Sequence, residues 1–312
     1  MDSEGLVTFL CVYHAGSVSA AAGQLARTQS AISRRLAVLE AQIGSPLFDR
    51  VGRRMVMSDA GRHLLPHAER VTAALQDARA AARKVRSSGP DELRIAVVGT
   101  LADERLSVAL RKLAKGFPRL DLRLSTATSA EVSEQVRSGK VSLGLRYFTD
   151  RSSGLSMKVV AKERLVVACA PTHRLAGRRV AQLGELADER WLAFPSKEQR
   201  GEVLARTILG QFLARGIDTL DWLAVDSLTA QKRLVEAGLG LALLQESAIQ
   251  EELRQARLAV VRVADLRVEV EIVSVTRPDA YPNAAADAFV SALRATTRQR
   301  SASRRFALPQ PS

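Results

Sequence analysis

The sequence predicts an α+β multidomain chain in which a small helical module carrying a β-hairpin is followed by one long helix and then by a two-lobed α/β domain. Three observations carry this. Short amphipathic segments fill the stretch from Leu6 to Ile43, a heptad-spaced apolar seam runs from Leu64 to Val85, and short apolar runs alternate with helical segments from Leu93 onward. The 312 residues, 46% hydrophobic and 25% charged, suit about two globular domains.

In the first segment Leu6, Phe9, Leu10 and Tyr13 share one helical face, and the helix ends before Gly16. Ser17 is placed to cap a short second helix, Val18 to Leu25, by accepting a hydrogen bond from a free backbone N–H. The run Ala20-Ala21-Ala22 lets another helix approach closely. After the tight connection Ala26-Arg27-Thr28, with Thr28 as N-cap, a third helix puts Ile32, Leu36, Leu39 and Ile43 on a single stripe, and Gly44 suits its left-handed C-terminal end. Ser30, Arg34 and Ala37 point away from that stripe, with Gln29 and Ser33 nearer its edges. Such small or hydrogen-bonding side chains can enter a major groove, where Gln and Arg reach base edges and Ser reaches phosphates. The same face also suits plain solvation.

Leu47-Phe48 then anchors a turn in which Arg50, Arg53 and Arg54 surround Gly52 ahead of the alternating Met55-Val56-Met57. This reads as a wing, whose arginines can follow the phosphate backbone or enter a narrow minor groove. Residues 1–58 form this module. From Ser58 a helix over residues 59–88, about 28 residues and roughly 40 Å long, spaces Leu64, Ala68, Val71, Leu75, Ala78, Ala82 and Val85 alternately by four and three. That seam is too narrow and too long to be satisfied alone, so a second copy of the chain is expected to cover it, with Leu64, Ala68, Val71, Leu75 and Ala78 at the contact.

Ser87-Ser88-Gly89-Pro90 interrupts the helix and serves as a linker. Apolar runs at Leu93–Val98, Leu120–Ser125, Ser142–Tyr147, Arg164–Ala168, Trp191–Phe194, Trp222–Val225, Leu239–Leu244 and Val268–Val275 then read as strands of a parallel α/β sheet. A return to strand near Glu269 fits two lobes within residues 91–300, the first from 91–161 with 265–300 and the second from 162–264, able to close like a hinge. Residues 301–312 read as a disordered basic tail, whose charges suit plain solvation as well as nonspecific DNA contact. Ligands of open α/β sheets settle at the carboxyl ends of strands, which singles out Thr100, Thr128, Ser129, Ser196 and Ser227 as contacts. Hydroxyls at helix N-termini suit a small anion, with Arg146 as its counter-charge, although every one of these hydroxyls is equally an N-cap.

The formal charge of +13, with 38 arginines among the 46 basic residues, favours a polyanionic partner. No apolar stretch is long enough to span a bilayer, and Met1-Asp2-Ser3-Glu4 lacks the basic and apolar regions of a secretion signal, so a soluble cytoplasmic protein without a membrane partner is expected. Cys11 and Cys169 stand far apart without ligand spacing and are expected as buried apolar residues, with no metal or cofactor. Dinucleotide, phosphate-loop, nucleophile-elbow and zinc-protease motifs are all missing from the sequence, so no enzyme is expected. A transport-type binding protein would share the α/β half but not the first ninety residues.

The run Phe9, Gly16-Ser17, Ala21-Ala22, Leu25, Gln29-Ser30-Ala31-Ile32-Ser33-Arg34, Leu39-Glu40, Gly44, Leu47-Phe48, Arg50 and Ala60-Gly61 resembles the winged helix-turn-helix of the LysR-type transcriptional regulators. By pattern more than by motif, the second half looks like that family's effector-binding domain, itself similar in fold to periplasmic binding proteins. The resemblance implies double-stranded DNA as partner, read as an interrupted inverted repeat by a homodimer or homotetramer, a small anionic inducer between the lobes, and RNA polymerase as a further partner. DNA contact then falls to Ser17, Thr28, Gln29, Ser30, Ser33, Arg34, Arg50, Arg53 and Arg54. Four positions depart from the family pattern: Met57-Ser58 stands for Leu-Thr, Ser142 for an Asp and Gln245 for a Pro.

Overall fold

The computed structural model describes residues 1–51, 54–86, 92–194 and 203–306, of which 50, 51, 54, 80, 83–86, 203–206 and 298–306 are described by backbone alone. Packing divides the chain into two compact units: Met1–Gly89 with Arg137–Val141 and Asp279–Tyr281, and Pro90–Val136 with Ser142–Pro278 and Pro282–Ser312.

The first unit begins with α1 (Ser3–Ala15), α2 (Val18–Gln24) and α3 (Gln29–Ile43), each started by a side-chain cap. Asp2 Oδ1 accepts from the Gly5 N–H at 2.7 Å, Ser17 Oγ from Ala20 at 3.1 Å and Thr28 Oγ1 from Ala31 at 3.2 Å, which satisfies one orphan donor per helix. Val12, 1% exposed, faces the core, whereas the expected Tyr13 is 37% exposed. Between α2 and α3 the turn holds Ala26 at φ 50°, which costs a non-glycine residue about 1–2 kcal/mol. The cluster of Val12, Ala21, Ala22 and Ile32 packs across this turn and offsets that strain. A second cluster joins Leu6, Phe9, Leu10, Leu36, Leu39 and Leu47 to Ala68.

Strands β1 (Phe48–Val51) and β2 (Arg54–Met57) form the predicted antiparallel hairpin, Phe48 opposite Met57, and Phe48 packs on Phe9 with ring centroids 5.4 Å apart. Gly52 and Arg53 at its tip lie outside the described residues. Ser58 then caps α4 (Asp59–Arg86), accepting from the Gly61 N–H at 3.0 Å while donating to the Pro46 carbonyl at 2.6 Å. Gly61 is required for close approach: a Cβ there would stand 2.3 Å from the Leu47 carbonyl oxygen. Along α4, Ala68 is buried and Leu64 half-buried, but Val71, Leu75, Ala78 and Ala82 are exposed.

The second unit is built on strands β3 (Glu92–Val98), β4 (Asp121–Ala127), β5 (Leu143–Tyr147), β6 (Ser156–Cys169), β7 (Arg179–Val180), β8 (Trp191–Ala193), β9 (Trp222–Ala224), β10 (Ala242–Gln245), β11 (Ala259–Val263) and β12 (Glu269–Thr276). Between and after them run α5 (Glu104–Gly116), α6 (Ser129–Arg137), α7 (Val203–Leu213), α8 (Leu228–Glu236), α9 (Gln250–Arg254) and α10 (Ala284–Phe306). The expectation of a parallel sheet is corrected to a mixed one. β3 runs parallel to β4 and β5, but β12 is antiparallel to β5 and β6, and β10 and β11 are antiparallel to β6. Strands β8 and β9 form a separate parallel pair.

The crossing is made by β6, which is 14 residues long where only Arg164–Ala168 was expected. Its Ser156–Arg164 part pairs with β12, and its Leu165–Cys169 part pairs with β10 and β11. One continuous strand therefore ties the first lobe to the second. Behind the second lobe's sheet lie Ala168, Leu192, Val235, Ala242, Leu244, Ile249 and Leu258, and Trp191 meets Phe212 edge-on at 4.6 Å. Helix α10 continues through Phe306, into the stretch expected to be a disordered tail, and residues 307–312 lie outside the described set. Among the described residues no single helix is long and apolar enough to cross a membrane.

Candidate functional site

Helix α3 buries Ile32, Leu36 and Leu39 and leaves Thr28, Gln29, Ser30, Ser33, Arg34 and Ala37 exposed. The polar edge is ordered at its start, where Gln29 Nε2 donates to Ser19 Oγ at 2.7 Å and the Thr28 and Ser30 hydroxyls lie 3.0 Å apart. Two neighbouring arginines differ in state. Arg35 pairs with Glu4, whereas Arg34 has no partner among the described residues and projects a free guanidinium from the exposed face. Ser17, half-buried, is occupied as the α2 cap. Arg50 and Arg54 lie on the two strands of the hairpin, described by backbone alone, and Arg53 falls outside the described residues.

A second site opens in the α/β unit, where a cleft of 1030 Å³ forms at the carboxyl ends of β3, β4, β8, β9 and β10. That placement follows from topology, since loops and helix starts gather there. Thr100, Thr128 and Ser227 line it as expected. Ser129 and Arg146 do not. Ser129 is 2% exposed at the start of α6, and Arg146 is turned from the cleft, its guanidinium donating to Ser133 Oγ at 2.7 Å and to the Tyr147 carbonyl at 3.1 Å. Arg146 is thus spent on holding α6 to β5. Ser196 lies outside the described residues.

The lining is acidic, where an anion site was expected. Six carboxylates, Asp103, Glu104, Glu131, Asp226, Glu251 and Glu252, face two cations, Lys232 and Arg254, a formal excess of four negative charges. Two of these acids already accept from backbone donors beside the cleft. Asp103 Oδ1 accepts from the Arg105 and Leu106 N–H groups at 2.9 and 3.1 Å, and Glu131 reaches back to the Thr128 N–H at 2.9 Å. These acids were missed because a carboxylate near a helix start reads first as a dipole partner.

Beneath the cleft, buried polar groups join the lobes. Tyr147, fully buried, has its hydroxyl oxygen within 3.0 Å of Thr100 Oγ1 and 3.1 Å of the Gln245 amide. Arg105, 7% exposed, donates to Asp103 Oδ2 at 2.8 Å and to Ser247 Oγ at 3.0 Å and pairs with Glu163 of β6. Ser247 in turn donates to Glu163 at 2.8 Å.

Residues 3–62 match the model of the bacterial regulatory helix-turn-helix protein, lysR family, and residues 86–298 match the LysR substrate binding domain. The chain belongs to the LysR family. This LysR-type protein is 30% identical over 273 residues to an uncharacterized HTH-type transcriptional regulator of Mycobacterium tuberculosis, covering 85% of this chain and 86% of that one. To the probable hydrogen peroxide-inducible genes activator of Mycobacterium avium it is 29% identical over 261 residues, 83% of each chain. Among solved structures, CbnR, a LysR family transcriptional regulator, superposes with a TM-score of 0.63 at 25% identity, covering 95% of this chain and 99% of that one. A full-length OxyR variant from Pseudomonas aeruginosa reaches 0.72 at 16% identity over 94% and 95%, a likeness of fold alone. The LysR assignment makes this a DNA-binding transcriptional regulator with an effector-binding domain, not an enzyme.

Proposed function

We propose that the protein binds promoter DNA as a dimer or tetramer, with an α3 helix from each of two protomers in the major grooves of an interrupted inverted repeat. The observation that carries this reading is Arg34, exposed and without a partner among the described residues, beside Gln29, Ser30 and Ser33 on an otherwise well-packed helix. Arg34 and Gln29 read base edges, the hydroxyls of Ser17, Thr28, Ser30 and Ser33 meet phosphates, and Arg50, Arg53 and Arg54 grip the backbone beside the site. CbnR, whose full-length structure is known in complex with its target DNA, supports this use of the module. The protein works in the cytoplasm, with RNA polymerase as its downstream partner.

The α/β cleft takes a small-molecule effector that touches Thr100, Thr128 and Ser227, and closure of the lobes about β6 alters the spacing of the paired α3 helices. Peroxide sensing, the response named for the Mycobacterium avium relative, has little chemical support here. Cys169 is buried and its thiol pKa is pushed up to about 11 by that burial, and Cys11, half-buried beside Gln24, is raised for the same reason. Neither thiol supplies the thiolate that reacts with peroxide.

Selection from a randomised duplex library tests the reading face. Arg34→Ala is expected to lose about 1–3 kcal/mol at one position of each half-site and to relax base preference there, because a bidentate guanine contact disappears. Identical selected sequences and affinities for wild type and Arg34→Ala would remove α3 as the reading element.

A further inference from the structure

We propose that the effector taken by the α/β cleft is a cation, a small amine or guanidinium compound, an inference that rests on reading this cleft as the effector site. The lining carries four more negative than positive charges, and its two cations are already engaged. Lys232 Nζ donates to Glu252 Oε1 at 2.7 Å and to the Ala248 carbonyl at 3.2 Å, while Arg254 pairs with Glu104 at 3.4 Å.

A separate observation also asks for a donor. Glu252 lines the cleft and is 5% exposed, yet its Oε2 has no hydrogen-bond partner among the described residues. A buried carboxylate oxygen without a donor is destabilising. A cationic guest beside this carboxylate offsets its charge, and a carboxylate guest adds repulsion. Asp226, also on the lining, has no partner among the described residues and offers a second free acceptor.

The helix starts at the cleft argue the other way and lose. Those of α5, α6 and α8 contribute roughly +0.5 charge each, less together than the carboxylate excess. At α5 the chain's own Asp103 takes the Arg105 and Leu106 N–H groups, and ahead of α6 Glu131 takes the Thr128 N–H. The volume of 1030 Å³ is at the upper end for small-molecule sites, which suits an extended amine.

Calorimetry and thermal-shift measurements on the full-length protein, using an amine series from putrescine to spermidine and agmatine against succinate and benzoate, decide the sign. At least one amine is expected to bind saturably, more weakly as salt rises. The Asp226→Asn/Glu251→Gln variant should bind it about tenfold or more weakly, since charge-assisted contacts are removed. Because the protein carries +13 overall, cations are repelled from most of its surface and saturable amine binding selects the cleft. Succinate or benzoate binding that vanishes in Thr100→Val, with no amine binding, would keep the cleft reading and overturn the cation. Amine binding indifferent to both the Thr100→Val and the carboxylate variants would overturn the proposal together with the cleft reading. No binding from either series at millimolar concentration would also overturn it.

Discussion

Changing Val71 and Leu75 together to glutamate yields a monomer that has lost about 10²- to 10⁴-fold in affinity for a two-half-site operator, the factor that bivalent engagement supplies. Helix α4 is 28 residues long, its apolar side chains repeat at heptad spacing, and Ala68 closes against the first unit's own core. Beyond Ala68 that seam is uncovered: Val71 is 42% and Leu75 38% exposed, and Ala78 and Ala82 are exposed as well. An alanine-rich seam gains little per residue, so the two large side chains carry most of the burial available to a second copy. Four glutamates placed across a two-fold axis add like-charge repulsion to that loss. Light scattering reads the mass, and titration of DNA against salt reads the affinity, whose salt slope should fall by about half as each complex loses one protomer's phosphate contacts. Helix content should be unchanged, because both positions face solvent within the single chain. A dimer that survives the substitution with its DNA affinity intact would remove α4 as the assembly surface.

Arg105→Met is expected to destabilise the α/β unit by about 3–5 kcal/mol. Arg105 is 8% exposed at its side chain and stands between Asp103 and Glu163, 9% and 2% exposed, so the cluster holds two acids against one base. Methionine keeps the volume but leaves two buried carboxylates facing each other with no cation. Urea unfolding followed by tryptophan fluorescence isolates this unit, because the chain's two tryptophans, Trp191 and Trp222, both lie in it. Glu163→Gln is the informative contrast. It removes the excess charge while preserving an acceptor for Arg105 and Ser247, and should change stability by less than about 1 kcal/mol. A loss below about 1 kcal/mol for Arg105→Met would show that the cluster is solvated and does not bind the lobes together.

The reading of the sequence succeeded where the deciding interactions are short-range. Ser17, Thr28 and Ser58 each cap a helix three residues ahead, and Gly44 takes φ 80° at the end of α3, all within the reach of local pattern. It failed where partners lie far apart in the chain. Arg146 turns to Ser133 because its place on β5 puts it under α6, which only the sheet order reveals. The Tyr147 hydroxyl meets Gln245 across 98 positions, and the first part of β6 is hidden by Lys158, Lys162 and Glu163, which sit on a strand because it pairs with β12. The direction of β12 could not be read from apolar runs, which look alike in parallel and antiparallel sheets. The acidic lining of the cleft was not legible in the sequence, since it assembles carboxylates from helix starts as distant as Asp103, Glu131 and Asp226.

Footprinting of the purified full-length protein on genomic fragments that it retains at low ionic strength tests the central claim most directly. The account predicts two protected half-sites whose centres are separated by about 10.5 base pairs or a multiple of it, each contacted through the major groove. Uniform weak protection with no repeated half-site, from a protein that remains monomeric on the DNA, would contradict it.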